Sequence, residues 1–385
     1  MPRSPSNNTM LPLLRKLAQK VGGEQAQNEL RWLTEHVREE LTDIAHSSRS
    51  SDGRGAGTHL GARIWRDQPA PSVEEIERDN QRLTSIQWAW LRQAVKDRVE
   101  HNKPLQYIIG AQPFGRANIT VRPPVLIPRW ETEEWTIRLA ELIATTVRSS
   151  IGGNGETAQK RPLNILDACT GSGCISLGLA SELPPDTIDA LGVDVSPEAV
   201  ALAMENLALN QALLNGNTVR FRRLDLMRSD AAARLAFETE AESDESRRAS
   251  GPPAWDMIVS NPPYVTPAEY EGLDPDVREW EDKRALVPLL PPHPGAEDDP
   301  SGLAFVARLA ALAGEMGMTA PAASVADSSI GNRLPRLVVE IGGELQAEAA
   351  CQIMRDHRLY STEVWKDMAG RSRVVLGYAK PKQGE

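Results

Sequence analysis

Along the first hundred residues apolar positions recur at spacings of three and four. In NELRWLTEHVREEL (28–41) and SIQWAWLRQAVKDRVE (85–100) Leu and Trp fall along one stripe, as an amphipathic helix requires. LPLLRKLAQKV (11–21) has the same spacing, and the Ser/Gly-rich HSSRSSDGRGAGTHLGAR (46–63) reads as a loop between helices. These patterns predict a helical domain over residues 1–103, with Trp32, Trp88 and Trp90 in its core.

The pattern then changes. KPLQYIIGAQPFGRANITVRPPVLIPR (103–129) breaks into short β-like runs punctuated by Gly and Pro, a connector over 104–130. From 131 to 385 a helix near Glu131–Val147 is followed by short apolar runs that alternate with helical ones. The expected strands are LNILDA, DALGVDV, TVRFRRLD, WDMIVS and RLVVEI, closed by a hairpin of STEVWKD and SRVVLGYA. Strands alternating with helices predict an α/β domain: a mostly parallel sheet covered on both faces. The acidic stretch 238–254 and the Ala/Ser-rich stretch 317–335 read as surface insertions too poor in apolar residues to order themselves.

Charge narrows the partners. A formal net charge of −10 does not suit a protein whose main partner is a phosphate backbone, because such binding relies on Lys and Arg displacing counterions. Cys169, Cys174 and Cys351 form no CxxC pair, so neither a disulfide framework nor a metal cluster is expected. No apolar run reaches the roughly 18 residues of a membrane span. Arg3, Arg15, Lys16 and Lys20 precede the first acid, Glu24, which fits a mitochondrial presequence and equally a basic first helix.

Candidate chemistry sits at the ends of the expected strands. ILDACTGSGCISL (165–177) is strand, glycine turn, helix, with Asp167, Cys169, Thr170, Gly171, Ser172 and Gly173 in the turn. Glycines there let a ligand approach the backbone, although an αβ turn with no ligand reads the same way. Asp194 ends the next strand, where an acid can take both hydroxyls of a ribose; Ser196 before Pro197 fills the helix cap and leaves Asp194 free for ligand. Asp225 closes the third strand, as an adenine contact or as a simple turn residue. Ligands of open α/β sheets bind at the carboxyl ends of the strands, so these loops converge on one crevice suited to a nucleoside.

The fourth strand runs into Asn261-Pro262-Pro263-Tyr264. Two prolines hold an extended turn and remove two N–H donors, leaving the Asn261 side chain and backbone carbonyls as acceptors for a planar NH2 group. Tyr264 adds a flat face for stacking.

Together these residues resemble the class I S-adenosylmethionine-dependent methyltransferases, in the branch that methylates amide or exocyclic nitrogens. PLQYIIG (104–110), LIPRWETEE (126–134), VVEIGGEL (338–345) and DMAGRSRVVLG (367–377) are similar to the release-factor glutamine methyltransferases of bacterial and organellar type. The resemblance implies S-adenosylmethionine as cofactor, its methionine end over Thr170–Gly173, its ribose on Asp194 and its adenine near Asp225. It implies a Rossmann-like sheet, a release factor as partner recognised by the helical domain, and transfer to the glutamine of a Gly-Gly-Gln loop by a mitochondrial monomer. Asn261 and the Pro262 carbonyl would hold the amide beside Pro263 and Tyr264, with Arg129, Glu131 and Glu133 supporting the pocket. A nucleic-acid N-methyltransferase acting on adenine or guanine through the same turn is the alternative. Two positions depart from the family: Cys169 replaces a glycine, expected to keep φ negative, and Trp130 replaces a proline.

Overall fold

Each of the seven runs expected as strands of the α/β domain is one. In a computed structural model describing residues 9–47, 70–80, 83–151, 161–237, 254–288, 299–319 and 334–379, these are β3 (Leu163–Ala168), β4 (Ile188–Asp194), β5 (Thr218–Arg223), β6 (Met257–Ser260), β7 (Leu337–Glu340), β8 (Ser361–Lys366) and β9 (Ser372–Tyr378). They form one sheet in the order β5-β4-β3-β6-β7-β9-β8. Strands β3 to β7 run parallel, whereas β9 pairs antiparallel with β7 and with β8. The fold is the expected Rossmann-like α/β class.

The chain steps outward from β3 to β5 and returns to place β6 beside β3, so the order reverses there. A crevice opens at the carboxyl ends of the strands at such a reversal. Its floor is firm because the sheet is buried on both faces: Ile165, Leu166, Ala168, Ile258, Val259, Val338 and Val339 have no exposed surface. Helices α7 (Cys174–Glu182) and α8 (Pro197–Asn210) follow β3 and β4. Ser196 caps α8 through its side chain, with Pro197 in the first turn, as the sequence indicates. Gly173 before α7 has φ +83°, and a Cβ there would lie 2.6 Å from the Phe221 ring. Only glycine lets α7 start that close to β5.

The chain divides into two compact units: residues 1–113 with Asp274–Trp280, and residues 114–273 with 281–385. In the first, α1 (Leu11–Val21), α2 (Gly23–Ser47) and α4 (Ser85–Glu100) share a core of Leu14, Leu17, Leu30, Leu33, Trp88 and Leu91. Trp32 and Trp90 pack half-buried against it. The basic segment after Met10 is therefore a core helix. Arg98 is buried between Glu29 and Asp276, donating to each at 3.0 Å. In the connector, β1 (Ala111–Phe114) and β2 (Ala117–Thr120) pair as expected, but Leu105–Ile109 is a short helix, α5, rather than a β-like run. Pro104 begins it and Gly110, at φ +84°, ends it in the left-handed conformation. Most of 238–254 and of 317–335 lies outside the described residues.

Candidate active site

Strand β3 delivers Cys169 to the mouth of the crevice. The turn to α7 is anchored by Thr170, whose N–H donates to the Val193 carbonyl at 3.0 Å and whose hydroxyl donates to Asp167 Oδ2 at 2.7 Å. Ser176 adds its N–H (3.2 Å) and its hydroxyl (2.7 Å) to the same oxygen. Burial raises Asp167 to about 6 against the pull of these donors. Among the described residues its Oδ1 has no partner. Asp167, Thr170, Ser172 and Gly173 thus build the turn, while Cys169 and Gly171 face the crevice.

Two geometric expectations are corrected here. Cys169 does not keep φ negative: it sits at φ +58°, in the left-handed region, because the chain must reverse over the strand end and the side chain is accommodated rather than avoided. Nor is Asp194 free. Its Oδ2 accepts the Gly171 N–H and its Oδ1 the Ser196 N–H, both at 2.9 Å, since the two loops it joins converge on the same strand end. Each carboxylate oxygen retains a further lone pair, so a diol can still bind. Burial raises the Asp194 pKa, opposed by the Ser196 and Gly171 N–H groups.

Around Asp194 the crevice is walled by Val125, Leu126, Val195, Leu224, Leu226 and Phe305. Asp225 lines it too, its Oδ1 fixed by the Met227 N–H at 2.9 Å. Beyond Gly171 space is open, with nothing within 4 Å of where a Cβ would stand. Open backbone, two acids and flat apolar walls fit a nucleoside with a ribose diol and no pyrophosphate.

Asn261 and Pro263 complete that lining from β6. On its other side, Asn261 Nδ2 donates to Thr132 Oγ1 at 3.0 Å. Thr132 passes its own hydroxyl proton to Glu340 Oε2 at 2.7 Å. Trp135 Nε1 donates to that oxygen at 2.8 Å, and the Tyr264 hydroxyl donates to Glu340 Oε1 at 3.2 Å. A hydroxyl has one proton, so Thr132 can only accept from Asn261. That fixes the amide: its NH2 faces Thr132 and its Oδ1 is left as an acceptor. Among the described residues no protein donor reaches Asn261 Oδ1 or the Pro262 carbonyl. Burial raises the pKa of Glu340, opposed by Trp135, Thr132 and Tyr264. Burial and the Glu340 charge raise that of Tyr264, which stays a neutral donor.

The other expected residues are engaged in ion pairs and hydrogen bonds of their own. Arg129 pairs with Glu281, which also accepts the Ile127 N–H at 3.2 Å. Glu131 stands 3.5 Å from Arg371 and 3.7 Å from Arg373. Glu133 points away, accepting the Gly115 N–H at 2.8 Å in the β1–β2 turn. Sequence reasoning missed Thr132, Trp135, Glu281 and Glu340. The one available signal was an acid inside the apolar run VVEI.

No family model matches the chain. It is 31% identical over 297 residues to the release factor glutamine methyltransferase of Koribacter versatilis, covering 77% of this chain and 81% of that one. The chain belongs to the release factor glutamine methyltransferase family. Within that family it is 33% identical over 216 residues to the mitochondrial MRF1 N(5)-glutamine methyltransferase MTQ1 of Saccharomyces cerevisiae, 56% of each chain. The human MTRF1L release factor glutamine methyltransferase is 34% identical over 206 residues, 54% of this chain and 53% of that one. With these relatives the match spans little more than half of their length. Among solved structures, the N-terminal domain of human METTL16 in complex with SAH has a TM-score of 0.40 at 11% identity, over 78% of this chain and 85% of that one.

Proposed function

We propose that this protein transfers a methyl group from S-adenosylmethionine to the side-chain amide nitrogen of a glutamine in a peptide chain release factor. The observation that carries the reading is the fixed orientation of Asn261, whose Oδ1 stands with the Pro262 carbonyl as a pair of acceptors that no protein donor among the described residues reaches. Two acceptors match the two N–H bonds of a primary amide.

Asp194 would hold the ribose of the cofactor, Asp225 its adenine, and the Cys169–Gly171 backbone its methionine end. Bound there, the cofactor would supply a sulfonium-activated methyl and leave as S-adenosylhomocysteine, the amide giving up one N–H proton to water. An amide nitrogen is a poor nucleophile because its lone pair is delocalised into the carbonyl. Asn261 and Pro262, accepting both N–H bonds, draw density toward that nitrogen and aim it, so rate comes from orientation and electrostatics. Tyr264 offers its ring as one wall, held still by Glu340.

The family's members named as mitochondrial favour a mitochondrial release factor as substrate and a mitochondrial location. The net charge of −10 disfavours the nucleic-acid alternative. Incubation with labelled cofactor and a mitochondrial release factor, its Gly-Gly-Ala variant, or nucleic acid tests the reading. Label should appear on the factor alone and vanish with the variant; label on RNA or DNA would overturn it. Asn261→Ala should abolish transfer while leaving cofactor affinity within about twofold. Imaging the tagged full-length protein tests the location.

A further inference from the structure

Three large apolar side chains lie outside every core cluster, on segments hydrogen-bonded to one another and to the acceptor turn. Trp130 is 41% exposed, Met368 83% and Leu345 97%. A single exposed apolar residue is ordinary; several on segments tied together make a contact surface. Trp130 begins the helix Trp130–Ile151, Leu345 lies in the first turn of the helix Glu344–Asp356, and Met368 sits in the β8–β9 turn.

Their immediate neighbours tie the three segments together. Arg371 and Arg373 reach Glu131 beside Trp130. The Ser372 N–H donates to Glu344 Oε1, beside Leu345, at 2.8 Å, and the Met368 N–H donates to Glu134 at 3.2 Å. The ring so formed is fastened to the acceptor turn. Gln346 Nε2 donates to the Tyr264 carbonyl at 2.9 Å, and Asn261 is held by Thr132, two residues after Trp130. None of the three residues lines the crevice that holds Asp194.

We infer that Trp130, Leu345 and Met368 form an apolar collar that grips the polypeptide on either side of the acceptor glutamine. The inference rests on the function proposed above and adds the surface that selects its substrate. Two hydrogen bonds to one amide give little affinity, so binding energy must come from parts of the substrate that do not react. The surface suits a polypeptide rather than a nucleic acid: its contacts are apolar and its cations are already paired, Arg373 with Asp367 at 3.1 Å and both arginines with Glu131. Trp130, standing where the family usually has proline, adds the one aromatic face of the three.

The test uses the full chain and an intact mitochondrial release factor. Leu345→Ser/Met368→Ser and Trp130→Ser should each raise KM for the factor about tenfold, with affinity for S-adenosylhomocysteine, read by calorimetry, and the melting temperature unchanged. Met204→Ser, which removes an exposed apolar side chain on α8, should leave KM alone. Normal transfer by the wild type with KM unchanged in both collar variants would overturn the collar only. A wild type that labels no release factor would overturn the proposed function and the collar with it. Loss of cofactor affinity in the collar variants would show a structural role and also overturn the collar.

Discussion

The Tyr264 hydroxyl donates to Glu340 Oε1 at 3.2 Å while Thr132 and Trp135 occupy Oε2, so one buried carboxylate at the end of β7 holds the turn that follows β6. Asn261 is the outermost link of that chain. Glu340→Gln puts an NH2 group against donors and should lower kcat about tenfold to a hundredfold, the loss expected when buried donors are left without an acceptor. Affinity for S-adenosylhomocysteine should stay within about twofold. Tyr264→Phe removes one donor and should do less. Steady-state kinetics and calorimetry on the same samples separate the outcomes: equal loss of binding and turnover would make Glu340 a support of the crevice instead.

Asp167 gives a pH signature. Burial raises its pKa from 3.8 to about 6 in the folded protein, so the stability it contributes is complete below the unfolded value and is lost as pH rises through about 6. The rise corresponds to about 3 kcal/mol. Asn at this position can accept the same three donors and carries no charge. Asp167→Asn should therefore be the more stable protein at about pH 7.5, with the difference closing toward about pH 4. Denaturant unfolding at the two pH values checks this; a variant weaker at both would contradict it.

Cys169 is held at φ +58° at a cost of about 1–2 kcal/mol for a residue with a Cβ. Cys169→Gly should recover about 1 kcal/mol after the larger unfolded-state entropy of glycine is subtracted, read as a raised melting temperature. Burial, with Asp194 nearby, pushes the Cys169 thiol well above its ordinary pKa. Alkylation by iodoacetamide should be slower than for a free thiol.

In the helical unit, Arg98→Met should cost about 3–5 kcal/mol, because the Glu29 side chain, only 2% exposed, would be left charged and without its cation. Glu29→Gln in the same chain should restore part of the loss. Urea unfolding followed by tryptophan fluorescence gives both values, and additive losses would mean that the pair is not coupled.

The sheet was legible because β3, β4, β6 and β7 are buried on both faces, which demands continuous apolar runs bounded by turn residues. The crevice was legible because several strand-end residues, each of which alone also reads as an ordinary turn residue, fall where an open α/β sheet brings its strand ends together. Leu105–Ile109 was not, since five residues carry too little periodicity and the outcome lay with Pro104 and Gly110 at its ends. Nor was the hub at Glu340. Thr132 and Glu340 are separated by 208 positions, and nothing in the local pattern around Thr132 announces a partner. The φ of Cys169 was misjudged because a residue with a Cβ suggested ordinary backbone, whereas the turn geometry prevailed.

Asp274–Trp280 belongs to the helical unit although it lies ten residues beyond Tyr264 and immediately before Glu281. Trp280 Nε1 donates to the His101 carbonyl at 2.9 Å and Asp276 shares Arg98 with Glu29. The helical unit is consequently not a detachable cassette. Exchanging residues 1–113 with those of a relative would transplant His101 without Trp280 and Arg98 with Glu29 but without Asp276, so a working chimera has to carry two separate stretches of the gene.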